Sequence, residues 1–118
     1  MSAPNLQSPS TITGKLAVQA CTNSATAIVS NAASSGKLLR VDSLLIGNTT
    51  SGPVAVTVDV YRSSTAYRIC TSLVVPANAT IAPITKEAPV NLEEGDSLRI
   101  NAGATSSLEA VASYSEVS

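Results

Sequence analysis

The feature that most constrains the fold is the alternation in Val54–Arg62. Val54, Val56, Val58 and Val60 fall on one face of an extended chain, and Ala55, Thr57, Asp59 and Tyr61 fall on the other. Strict period two with β-branched residues is the pattern of a half-buried strand. The same logic predicts strands along the chain. Thr11–Cys21 and Thr26–Ser30 are short and weakly apolar. Lys37–Gly47 is long and carries Leu38, Leu39, Val41, Leu44, Leu45 and Ile46. Ala66–Val75 places Tyr67, Ile69, Thr71, Leu73 and Val75 on one face and pairs with Val54–Arg62 as a hairpin across the turn Ser63-Ser64-Thr65. Ala79–Thr85 is interrupted by Pro83, which predicts an edge position or a bulge. Pro89–Leu92, Asp96–Ala102 and Ser107–Ser115 complete the series, with Leu108, Ala110, Ala112 and Tyr114 on one face of the last.

Turn signals separate these runs every 8–12 residues or so, and no segment shows an apolar stripe of period 3.6. The expectation is an all-β, antiparallel β-sandwich of jelly-roll or immunoglobulin-like type. A chain of 118 residues is one domain on the usual scale, large enough to hold a core without metal or disulfide staples. Pro4 and Pro9 break any regular element early. Residues 1–10 therefore read as an extended N-terminal arm, and residues 11–118 as the sandwich domain.

Composition bears on function mainly by exclusion. The chain has no His, Trp or Phe and only three Tyr. Imidazole acid–base chemistry, a His-based triad and a His-ligated zinc are ruled out. Seven Lys and Arg against eight acidic residues give a net charge of −1, which argues against nucleic-acid binding. No apolar run approaches the roughly 20 residues of a membrane-spanning helix, and the N-terminus lacks the pattern of a signal peptide. Thirty of the 118 positions are Ser or Thr, and charged residues make up only 13%. These numbers predict a non-enzymatic domain, without cofactor or metal, that works through flat, weakly charged surfaces.

Candidate sites follow from local groupings. Arg62 and Arg68 flank one hairpin with Tyr61 and Tyr67, and Arg and Tyr are residues that anchor interfaces. These four form a candidate partner-facing patch. Pro4, Leu6, Pro9 and Ile12 are candidate contacts of the arm, because an extended segment can add to a neighbour's sheet edge. Cys21 and Cys70 either form a disulfide or stand apart as small hydrophobes. Glu93, Glu94 and Asp96 surround Gly95. Their spacing matches no calcium loop, so the group reads as a structural turn in which Gly95 takes a positive φ and Asp96 bonds nearby amides.

Three segments add a resemblance: Val56-Thr57-Val58-Asp59-Val60-Tyr61, the run Pro89-Val90-Asn91-Leu92-Glu93-Glu94-Gly95-Asp96-Ser97-Leu98-Arg99-Ile100, and Leu108-Glu109-Ala110-Val111-Ala112-Ser113-Tyr114. Over residues 38–117 the chain resembles small β-sandwich virion structural proteins of tailed bacteriophages, cyanophages among them. The resemblance implies a virion part made in the host cytoplasm. It implies a capsid decoration or cement protein on the outer capsid surface, contacting the major capsid protein. The alternative it carries is a neck, tail or fibre-attachment component contacting neck or tail subunits. Such proteins act as homo-oligomers, often trimers, and have no catalytic residues to carry over. A reading from a different class is a carbohydrate-binding or adhesion module, which would have to use Tyr61, Tyr67 and Tyr114.

Overall fold

A computed structural model describes residues 11–103 and 108–118. Nine strands occur in chain order: β1 (Ile12–Ala20), β2 (Thr26–Ser30), β3 (Leu38–Asn48), β4 (Val54–Arg62), β5 (Thr65–Val75), β6 (Thr80–Ile84), β7 (Val90–Leu92), β8 (Ser97–Ala102) and β9 (Leu108–Val117). The first sheet has the order β1-β9-β3-β6, with β7 also on β3, and the second has the order β2-β8-β4-β5. All pairs are antiparallel. The chain is a long hairpin rolled up. Its first strand lies on its last, β2 on β8, β3 on β6 and β7, and β4 on β5. That is a jelly roll, which resolves the two expected sandwich types in favour of the first.

The period-two faces close against each other. Val41, Leu44 and Ile46 of β3 and Ala110 and Ala112 of β9 face Val56 and Val58 of β4 and Leu98 and Ile100 of β8, all of them buried. The small alanines of β9 leave room for the branched residues beside them, so a core without Phe or Trp still fills. Each fully buried Val, Leu or Ile contributes about 1.5–3 kcal/mol relative to exposure. Tyr114 packs at the margin of this core.

The β4–β5 connection is tighter than the Ser63-Ser64-Thr65 turn read from the sequence, because Thr65 already pairs with Arg62. Ser63 and Ser64 both take positive φ, at 51° and 62°, between the paired Arg62 and Thr65. This is the geometry of a hairpin turn whose twist matches its strands. Pro83 lies on an edge strand, in a stretch where the β3–β6 register shifts.

One expectation fails. Tyr67, Ile69, Thr71, Leu73 and Val75 do not share a face. The register of β5 on β4 shifts twice, so that Tyr67, Cys70, Leu73 and Val75 oppose Val60, Val58, Val56 and Val54. Ser72 sits in the second bulge with φ 50°, its N–H donating to Thr57 Oγ1 at 3.1 Å. Each bulge inserts one residue and resets the alternation.

Candidate functional site

The hairpin patch divides across two faces. Tyr61 lies on the outer face of the second sheet, where the Arg99 guanidinium covers its ring at 4.0 Å from the centroid. Arg99 also donates from Nε to Asp59 Oδ1 at 2.8 Å. Asp59, paired with both Arg99 and Arg68 across the sheet, is only 4% exposed. Arg68 is exposed beside it and makes no ion pair among the described residues. The Asp59 hydrogen bond, acting against burial, holds the Arg99 guanidinium more firmly protonated.

Arg62 and Tyr67 lie at the other face, around a shallow depression with Val60, Val90, Asn91 and Asp96. Tyr67 is exposed. Arg62 is held by acidic partners. Its Nε donates to Asp96 Oδ1 at 2.7 Å, and its Nη2 reaches both Asp96 Oδ2 and, at 3.0 Å, Glu93 Oε2. The four hairpin residues therefore do not converge on one surface. The physical reason is the same alternation that made β4 legible.

The Gly95–Asp96 turn is a structural hub. Gly95 takes φ 89°. Asp96 is 1% exposed, and its carboxylate accepts from the Glu93 N–H at 2.9 Å as well as from Arg62. The Arg62 hydrogen bond holds the Asp96 carboxyl below its ordinary value, against burial. Asn31 locks the turn to the far end of the chain. The Gly95 N–H donates to Asn31 O, the Asn31 N–H donates to Asp96 O, and Asn31 Nδ2 donates to Lys37 O and Leu92 O. Glu94 Oε2 accepts from the Gly36 N–H at 3.0 Å. These oxygens are taken up by protein donors. A second buried amide, Asn48, does the same work at the β3–β4 turn, donating to Gly52 O and Val75 O while Oδ1 accepts from Thr50. Neither asparagine was singled out by the sequence. The signal was an Asn closing an apolar strand before a Ser/Thr/Gly turn.

Cys21 and Cys70 are both free, which corrects the disulfide alternative. Cys21 follows β1 and Cys70 sits on β5. These strands occupy opposite flanks of the sandwich, because β1 neighbours β2 across the sheets whereas β5 neighbours β6. Burial, reinforced by Glu109, pushes the Cys21 thiol up to about 11, and burial also raises that of Cys70.

Pro4, Leu6 and Pro9 lie outside the described residues. Ile12 begins β1, a strand with three strongly exposed apolar residues. Ile12, Leu16 and Val18 are 63%, 64% and 69% exposed. Val18 lies beside Val111 of β9, which lies beside Leu45 of β3, so an apolar row runs across the outer face of the first sheet. Among the described residues no strand pairs with the outer edge of β1. The sequence put Ile12 in a contact zone but did not distinguish Leu16 and Val18, whose exposure depends on which strand covers them.

No protein-family model matches the sequence, and no curated relative matches it. Among solved structures, a chain from the work titled "Bacillus endospore appendages form a novel family of disulfide-linked pili" is similar in fold. The TM-score is 0.56 at 16% identity, over 92% of this chain and 87% of that one.

Proposed function

We propose that the chain is a non-enzymatic structural subunit that joins a larger protein assembly through strand-edge and sheet-face contacts. The observation that carries this reading is the β1 flank. It is a nine-residue edge strand whose outer side pairs with no strand among the described residues, with three large apolar residues about two-thirds exposed. Exposed edges of that kind are an association hazard unless a partner covers them.

The finer reading is a tailed-phage virion protein, decorating the outer capsid and clamping the major capsid protein. It is supported by the resemblance over residues 38–117 and by the jelly roll, a fold common in capsids. Weak contacts repeated over a lattice sum to firm attachment. A second reading, a subunit of a surface appendage, is favoured by the fold likeness to a pilus protein. The sugar-binding reading loses ground, since Tyr61 is covered by Arg99 and Tyr114 packs on the core.

Gold-labelled antibody against the chain, applied to particles purified from lysed producing cells, tests the proposal. Label over the shell supports decoration. Label at the neck or tail moves the protein there. Fibres formed by the purified chain alone, with unlabelled particles, replace the virion reading with the appendage one.

A further inference from the structure

We propose that β1 is a symmetric docking strand: two copies of the chain pair antiparallel through their β1 edges, with the two-fold axis at Leu16. The inference rests on the reading of the chain as an assembly subunit and gives that assembly its elementary contact.

The backbone sets the register. The Thr11 N–H donates to Ser118 O at 2.9 Å and the Ser118 N–H returns to Thr11 O at 2.8 Å, so this opposed pair exchanges both bonds. Pairing of β1 with β9 then runs without a shift from Ile12 to Ala20. In an antiparallel ladder such exchanging pairs alternate with non-bonded ones. Thr13, Lys15, Ala17 and Gln19 therefore bond inward to β9, and the Cys21 N–H continues the series to Leu108 O. Ile12, Gly14, Leu16, Val18 and Ala20 point their N–H and C=O groups outward.

An axis at Leu16 opposes Leu16 to itself, Gly14 to Val18 and Ile12 to Ala20. All five outward residues then exchange both bonds with the second copy. A slip of two residues leaves Ile12 or Ala20 unpaired on each copy. The side chains agree with this register, because each large residue meets a small one across the axis and Leu16 meets its own symmetry mate. The one charge on β1, Lys15, is engaged by Glu116 of its own chain at 3.5 Å and opposes Ala17, so no like charges face each other. The product is a continuous sheet that joins the β6-β3-β9-β1 series of both copies.

The test uses the full chain with Cys21→Ala and Cys70→Ser. Leu16→Cys in this background should form a covalent dimer under mild oxidant, since exchanging antiparallel pairs stand about 5.5 Å apart at Cα, within disulfide reach. Leu73→Cys on β5 should stay uncrosslinked. Light scattering of the unmodified chain should give about twice 11.9 kDa. Leu16→Pro should halve that mass while keeping the β circular-dichroism spectrum, because the lost N–H faces away from β9. A monomer at 100 μM, or a dimer whose Leu16→Cys form does not crosslink, overturns the proposal. A trimer or particle-bound subunit without the Leu16 crosslink also overturns it, while leaving the structural-subunit reading standing.

Discussion

The two flanks of the sandwich both end in long exposed strands, yet they are built differently. On one flank β5 has eleven residues, two register shifts and Ser72 at positive φ. On the other, β1 has nine residues in unbroken register and no bulge. The remaining edges are short or irregular. β2 has five residues and a shift, β6 has five with Pro83 and a shift, and β7 has three. Bulges, prolines and brevity are the means by which proteins blunt sheet edges. Among the described edges β1 alone has none of these three, and its one guarding charge, Lys15, is tied to Glu116. On the proposed pairing, that difference makes β1 the edge through which copies associate.

That contrast can be broken in graded ways. The largest effect is expected from Asp59→Ala, which strips the buried partner of Arg99 from the sheet that carries β5. About 3 kcal/mol of unfolding free energy should be lost in urea titration, whereas native mass, set at β1 on the proposed pairing, should hold below the transition. A mass that falls with stability would show the flanks to be coupled.

Asp96→Asn comes next, at about 1–2 kcal/mol near neutral pH. The folded carboxyl is held below the usual 3.8. Its contribution is therefore complete above that value and drains away as pH falls through the folded value. The stability gap between wild type and variant, followed by denaturation at a series of pH values, should close in acid. A gap unchanged at pH 2 would refute the Arg62 attribution.

Ser63→Asn combined with Ser64→Gly supplies residues that tolerate positive φ, and should raise stability by about 1 kcal/mol in thermal melts. The smallest effect is expected from Leu73→Lys. A charge on the already irregular β5 edge should leave native mass unchanged by light scattering, and a drop would make β5 a second association edge.

The strands were legible because period two with Val, Ile and Leu reports burial directly. Val54–Arg62 and Thr26–Ser30 match β4 and β2 end to end. The Gly95 turn was legible because a local backbone need selects its residue. What stayed hidden depends on contacts distant in sequence. Asp59 read as a solvent-face residue, and it is buried because Arg99, forty positions on, lies beside it. Asn31 read as loop, and it is buried because Leu92 O and the Gly95–Asp96 backbone converge on it. The bulges of β5 shift Cys70 and Tyr67 onto one face through a twist that no residue type announces. The outer edge of β1, unpaired among the described residues, was legible only as a short weak strand, since a residue pattern does not say which side of a strand lacks a neighbour.

The pairing of β1 with β9 has a temporal consequence. The inner partner of β1 ends at Val117, so during synthesis the first strand waits for almost the entire chain before it can enter a sheet. Closing that long loop is the slow, entropically costly step of such a topology. The outward bonding groups of Ile12, Gly14, Leu16, Val18 and Ala20 are thus aligned as a template only in a finished subunit. On the proposed pairing, recruitment of a second copy therefore waits for molecules that have already folded.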